Sequence, residues 1–156
     1  MANSKSKSRR RFAVRNSGIH GKGVFALTHI PKGTRLIEYK GERLTDAQVD
    51  KRYAKDENPH TFLFALDDGM VIDATTCGNS ARWINHSCAP NCEAVDDEDH
   101  IYIETLRAIR PGEELSYNYG IELEEKHTPE LKRLYQCRCG ARRCKGTILS
   151  DKKKKK

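Results

Sequence analysis

The sequence predicts a small, mainly β domain carrying few short helices. Three observations lead there. Apolar residues fall in short runs such as "RFAVRN", "TRLIEY" and "HIYIET", without a sustained helical period. Turn-forming punctuation recurs between the runs, as in "GIHGKG", "IPKG", "DDG" and "RPGE". At 156 residues the chain fits one domain of ordinary size. Such a domain buries a real core without disulfide staples.

The elements follow in chain order. Residues 11–27 read as a strand, a Gly-rich turn and a second strand. Residues 29–44 open on a Pro-x-Gly turn and continue as a strand bearing Leu36, Ile37 and Tyr39. Residues 45–57 are the best early helix, because Thr45 is an N-cap residue with Gln48 at the capping-box position. Residues 60–74 read as a hairpin around Asp67-Asp68-Gly69. Residues 82–92, "RWINHSCAPNC", are too polar for a core strand and too rich in reactive groups for an ordinary loop. There, Trp83 and Ile84 are the apolar anchors, Pro90 ends the strand and Asn91 shapes the turn. Residues 92–109 read as two strands around an acidic turn, and 110–119 as a turn and a short strand. Residues 121–135 are a polar, helical connector, and 137–149 a compact Cys-rich end.

The net charge of +7 is unevenly distributed. Residues 1–11 hold five basic groups and no acid, and residues 152–156 are five Lys, whereas 12–151 are mildly acidic. The cationic ends predict disordered tails and weak nucleic-acid contact through counterion release. The acidic body favours a lysine-containing basic protein or peptide as partner. The N-terminus lacks the apolar stretch of a secretory signal, and no window approaches the ~18 apolar residues of a membrane span. We therefore expect an intracellular protein without membrane contact, nuclear or cytoplasmic being left open. Its six Cys are then reduced thiols, metal ligands or buried residues.

Cys137, Cys139 and Cys144 form a Cys-x-Cys-x4-Cys cluster. Tetrahedral zinc takes four N/S ligands, so a fourth must come from elsewhere: Cys77, Cys88, Cys92 or one of the six His. Arg138, Arg142, Arg143 and Lys145 favour the thiolate form by nearby positive charge.

Four blocks together carry a specific resemblance. They are "GIHGKGVFA" (18–26), "RWINHSCAPNC" (82–92), "GEELSYNYG" (112–120) and "CRCGARRCKG" (137–146). In this order they resemble the motifs of SET-domain protein-lysine methyltransferases with a post-SET zinc segment. Trp83, Ser116 and Asn118 stand where the family usually has Phe, Thr and Asp. The likeness covers roughly residues 12–149. It implies small β-sheets with a pseudoknot, in which the segment around Asn85–Cys88 meets that around Tyr117–Tyr119. It divides the chain into a basic tail (1–11), the SET domain (12–120), a connector (121–136), the zinc segment (137–149) and a lysine-rich tail (150–156).

The resemblance further implies S-adenosylmethionine as cofactor, bound by His20, Gly21, Lys22, Gly23, Asn85, His86 and Tyr119. Tyr119 becomes the active-site tyrosine, which orients the amine rather than acting as a base. Tyr39, Phe62 and Tyr117 become channel walls, with Tyr39 and Tyr117 near the chemistry. A Tyr at position 117 limits the product to fewer methyl groups. Cys88 joins Cys137, Cys139 and Cys144 around one structural zinc, while Cys77 and Cys92 stay ordinary thiols. The expected substrate is a basic protein such as a histone, bound as an extended strand. Two other readings fit parts of the sequence: a SET-fold peptide-binding module without turnover, and a zinc-containing nucleic-acid binder.

Overall fold

A computed structural model describes residues 10–55, 62–121 and 126–150. Among these residues, four small sheets share one core. Strands β1 (Phe12–Asn16) and β2 (Lys22–Ala26) form an antiparallel hairpin whose turn passes through Gly21 at φ +44°. Strand β3 (Arg35–Glu38) pairs with β9 (His100–Thr105), which pairs with β8 (Cys92–Asp97). Strand β4 (Glu42–Thr45) pairs with β6 (Met70–Asp73), which pairs with β5 (Leu63–Ala65). The fourth sheet holds only β7 (Asn85–His86) and β10 (Ser116–Tyr117), which run parallel. The result is the mainly β architecture expected, with two short α-helices among the described residues.

Local chemistry accounts for most of these elements. Helix α1 (Asp46–Tyr53) starts as expected: Thr45 Oγ1 accepts from the Gln48 N–H, and the Gln48 side chain accepts from the Thr45 N–H. Residues 56 and 57 of that expected helix lie outside the described residues. So do 60 and 61 of the expected hairpin, whose strands are β5 and β6. The acidic turn between β8 and β9 holds Glu98 and Asp99 at positive φ, +50° and +67°. In the polar connector, helix α2 (Pro129–Leu134) is capped by Thr128 Oγ1 and has Pro at its first position. Residues 122–125 of the connector lie outside the description. Among the described residues no helix is long and apolar enough to cross a membrane.

The core is assembled from Val24, Ile30, Ile72, Ile84, Ile103, Ile109 and Leu115, all buried. These come from elements far apart in sequence, and isolated bridges between Phe25 and Glu114 and between Ile30 and Ile109 bring their segments together. Trp83 packs only against the edge of this core. It ends a 3-10 turn (Ser80–Trp83), and its ring lies 5.0 Å from Lys22 Nζ and 4.6 Å from the Arg82 guanidinium carbon.

Two polar side chains in this interior act as locks. The fully buried Asp73 accepts from the Tyr53 hydroxyl (2.5 Å), the Thr75 N–H (2.9 Å) and Arg52 (3.1 Å), and so holds α1 against β6. Asn91 was expected to shape a local turn but spans a longer distance. Its amide donates to the Glu114 carbonyl, and its oxygen accepts from the Ser116 N–H, each at 2.9 Å. It thereby ties the residues leading into β8 to those leading into β10.

Both locks make predictions. Asn91→Ala should cost about 2–4 kcal/mol in denaturant unfolding, since it orphans two buried backbone groups. For Asp73, burial pushes the carboxyl pKa up, but the hydrogen bonds from Tyr53, Thr75 and Arg52 outweigh it and hold the pKa below the usual value. A depressed carboxyl pKa stabilises the fold above its unfolded value of about 3.9 and ceases to do so as pH falls through the folded value. Asp73→Asn should therefore destabilise at pH 7, and its deficit relative to the unsubstituted protein should shrink below about pH 4.

Candidate active site

The parallel pairing of β7 with β10 sets Asn85 opposite Ser116 and His86 opposite Tyr117. Two segments some thirty residues apart in sequence thus share one surface, the junction expected of the pseudoknot. From it, side chains fan out into three connected regions.

The first is a polar hub under the β1–β2 turn. Asn85 Nδ2 lies within hydrogen-bond distance of the His20 and Lys22 carbonyls (3.2 and 3.0 Å), of Ser17 Oγ (3.2 Å) and of Glu114 Oε1 (2.8 Å). Ser17 Oγ lies 2.8 and 2.9 Å from the two Glu114 oxygens and accepts from the Ile19 N–H. The Asn85 amide therefore points at the turn. At Gly23 a Cβ would collide with the Glu114 carboxylate, so a side chain there would displace that group from the hub. Gly21 is required instead by its backbone, at positive φ.

The second region is a cavity of about 430 Å³, within the ~300–1,000 Å³ range of small-molecule sites. Its walls include His20, Asn85, His86 and Tyr119 from the expected site. Gly21, Lys22 and Gly23 are not among its lining residues, and Lys22 carries its ammonium to the Trp83 ring. The other lining residues were not named for this site from the sequence. Ile19, Leu134, Tyr135 and Ile148 give the cavity apolar surface, while Arg133 and Arg138 give it positive charge. The Thr128-Pro129 helix start was the signal in the sequence that a helix stands here, but nothing local says what it faces.

Behind Tyr119 lies the third region, an aromatic cluster. The Tyr117 and Tyr119 rings are 4.8 Å apart, and Tyr39 lies 5.5 Å from Phe64 with the rings tilted by 46°. Phe62 meets Trp83 edge-on at 5.3 Å. The Tyr39 hydroxyl donates to the Phe62 carbonyl at 2.9 Å, and the Tyr119 hydroxyl to the Ile84 carbonyl at 2.5 Å. Tyr39 and Tyr117 are buried, and burial is the main reason that the pKa values of Tyr39, Tyr117 and Tyr119 lie above the ordinary phenol value. All three are therefore neutral phenols at pH 7. Tyr39, Phe62 and Tyr117 do not line the cavity; Tyr119 belongs to both cavity and cluster.

His86 connects this region to a thiol cluster. Its Nδ1 accepts from the Tyr119 N–H at 3.0 Å, which leaves the ring proton on Nε2, 3.6 Å from Cys88 Sγ. Burial, with Lys145 nearby, pulls its pKa down to about 4, so the ring is neutral at pH 7.

The ligand atoms of Cys88, Cys137, Cys139 and Cys144 lie within 4.8 Å of one another. Cys77 is exposed and Cys92 is buried, both outside this group. Tetrahedral Zn–S bonds of ~2.3 Å put sulfurs about 3.8 Å apart. Cys88 Sγ lies 3.8 Å from Cys137 Sγ and 4.0 Å from Cys144 Sγ, so the four thiols fit such an ion. Backbone N–H groups of Lys145, Ala141 and Gly146 point at the sulfurs of Cys88, Cys139 and Cys144, the orientation that stabilises thiolate ligands. Burial raises the Cys88 and Cys137 thiols; at Cys139 it opposes, but hydrogen bonds to the sulfur prevail and lower the pKa to about 6.

Cys88→Ser should lower zinc content below one ion per chain, by elemental analysis, while Cys92→Ser leaves it unchanged. Glu114→Ala should destabilise the fold by about 1.5–3 kcal/mol in urea titration, because it removes charge-assisted hydrogen bonds from Ser17 and Asn85.

A family model described as SET domain matches residues 21–120. The chain is 41% identical over 138 residues to the Histone-lysine N-methyltransferase trithorax of Drosophila virilis, covering 85% of this chain and 3% of that protein. It is 39% identical over 147 residues to Histone-lysine N-methyltransferase 2B of Homo sapiens, covering 90% of this chain and 5% of that protein. To the Histone-lysine N-methyltransferase, H3 lysine-4 specific, of Chaetomium globosum it is 41% identical over 139 residues, covering 85% and 12%. This chain thus spans a small fraction of the length of each of these relatives. The motif order, the parallel junction and the family match agree: the chain belongs to the SET-domain family.

Proposed function

We propose that this chain is an S-adenosylmethionine-dependent protein-lysine N-methyltransferase acting on a basic protein of the histone kind. One observation carries the reading: Tyr119 joins a ligand-sized cavity to a buried aromatic cluster, with its hydroxyl held on the Ile84 carbonyl. The relatives' names, histone-lysine N-methyltransferases, support the substrate class. In this reading residues 12–120 are the catalytic domain, 121–136 the connector and 137–149 the zinc segment.

S-adenosylmethionine supplies a methyl group already activated on a sulfonium, so the chain needs no electrophilic catalyst of its own. His20, Asn85, His86 and Tyr119 line one wall of its cavity. Arg133 and Arg138 complement a carboxylate, and Ile19, Leu134, Tyr135 and Ile148 an aromatic base. Cys88, Cys137, Cys139 and Cys144 would hold one structural zinc, which would tie the C-terminal wall to the pseudoknot.

The remaining task is the amine. Neutralising a free lysine of pKa ~10.4 at pH 7 costs about 4.6 kcal/mol. A channel walled by Tyr39, Phe62 and Tyr117 lowers that cost by desolvating the ammonium form. The amine proton leaves to water before attack, since three phenols of raised pKa offer no base. Tyr119 spends its own proton on the Ile84 carbonyl, and its oxygen lone pairs are then available to accept from the amine N–H. Accepting that bond aims the nitrogen lone pair along the channel, which is where the rate gain arises.

Methyl transfer to lysine peptides, read by mass spectrometry, tests the proposal. Tyr119→Phe should lower turnover by about a hundredfold through lost amine orientation, with cofactor affinity changed much less. Tyr117→Phe should shift the product towards higher methylation states. Full turnover by Tyr119→Phe would remove the mechanism, and no transfer by the unsubstituted chain to any lysine would leave a binding module instead.

A further inference from the structure

The charge partition of the chain changes once its fold is known. Residues 12–120 carry 12 basic and 17 acidic side chains, whereas residues 121–156 carry 12 basic and 5 acidic. Even a zinc tetrathiolate, which adds two negative charges, leaves the C-terminal part cationic. Its Lys and Arg residues at 126, 132, 133, 138, 142, 143 and 145 are all exposed.

These cations face two ways. Arg133 and Arg138 line the cofactor-sized cavity. Lys126, Lys132 and Lys145 line a separate cleft of about 570 Å³ with His127 and Ser150, sharing no residue with the first. Arg142 and Arg143 form the exposed turn that precedes Cys144 and Lys145. The ion pair Arg133–Glu130 leaves Lys126, Lys132, Arg142 and Arg143 without a carboxylate within 4.0 Å among the described residues. The five-lysine run begins two residues beyond Ser150, which lies in the same cleft.

We propose that this cationic C-terminal segment, through Lys126 and Lys132 of the cleft and Arg142 and Arg143 of the exposed turn, docks on the phosphate backbone of duplex DNA. An extended polyanion can meet several exposed cations of one segment at once, which a compact anion cannot. The anionic body remains free for a basic protein substrate. Such a substrate is itself a natural companion of DNA, so one molecule can engage both parts of a protein–DNA assembly through different segments.

Fluorescence anisotropy with a fluorescein-labelled duplex of about 20 base pairs tests this between about 50 and 200 mM salt. The zinc-loaded chain should bind with a steep salt dependence. The combined Lys126→Ser, Lys132→Ser, Arg142→Ser and Arg143→Ser variant should lower the log–log salt slope by about 3–4, at ~0.9 per phosphate contact, with zinc content and thermal melting unchanged. A variant ending at Asp151 should bind more weakly but keep most of that slope. Unchanged affinity in the fourfold variant would overturn the assignment. So would complete loss of binding on removing the five lysines alone, which would put the contact in the tail. Preference for single-stranded RNA or poly-glutamate over the duplex would overturn the choice of DNA. Binding is read without turnover, so the outcome is independent of the methyltransferase assignment.

Discussion

The structure depends on the parallel contact of two two-residue strands, Asn85–His86 with Ser116–Tyr117. A ladder that short contributes too little to hold two distant chain segments together. Its stability comes from buried polar side chains on either side. Asn91 satisfies a carbonyl and an amide of the opposing segment, and Glu114 gathers Ser17 and Asn85. Inside a protein such groups are costly when unpaired and strong when fully satisfied, so the junction favours one register.

Much of the neighbouring chemistry follows from that register. Because Asn85 and Glu114 are engaged with the glycine turn, the turn is pinned, and Gly23 is smooth to let the carboxylate approach. Because Tyr117 lies opposite His86, Tyr119 comes next to the same imidazole. His86 then has one nitrogen on the Tyr119 backbone and the other beside Cys88. One neutral ring thus joins the tyrosine, the junction and the thiol cluster. Its orientation is decided by hydrogen bonding at both nitrogens rather than by charge.

The C-terminal segment supplies what the β-domain lacks. The cavity is only half walled by the glycine turn and the junction, and α2 with the chain around Cys137 and Ile148 completes it. A short polar helix with no buried residue has little hydrophobic reason to stay on the body. Four sulfurs drawn from residue 88 and from 137–144 offer a different attachment, independent of apolar area. This separation also lets the segment keep an exposed, highly charged outer face, since its position does not require burial.

The sequence by itself determined the mainly β class, the Thr45 cap, the hairpins and the cysteine triad, because each is encoded within a few adjacent residues. It also carried the motif order that implied the family, and with it the fourth cysteine. Only the tertiary structure decided what the motif residues touch. Asn91 was legible as a turn residue, yet its partners lie 23 and 25 residues away. Asn85 was expected to face a ligand; it lines the cavity, but its amide is directed at the glycine turn. Arg133, Arg138 and Ile148 carried no local signal for a cavity, because a wall exists only when another wall stands opposite. Periodicity and caps report on neighbours in sequence, whereas partners across a fold are set by register and packing.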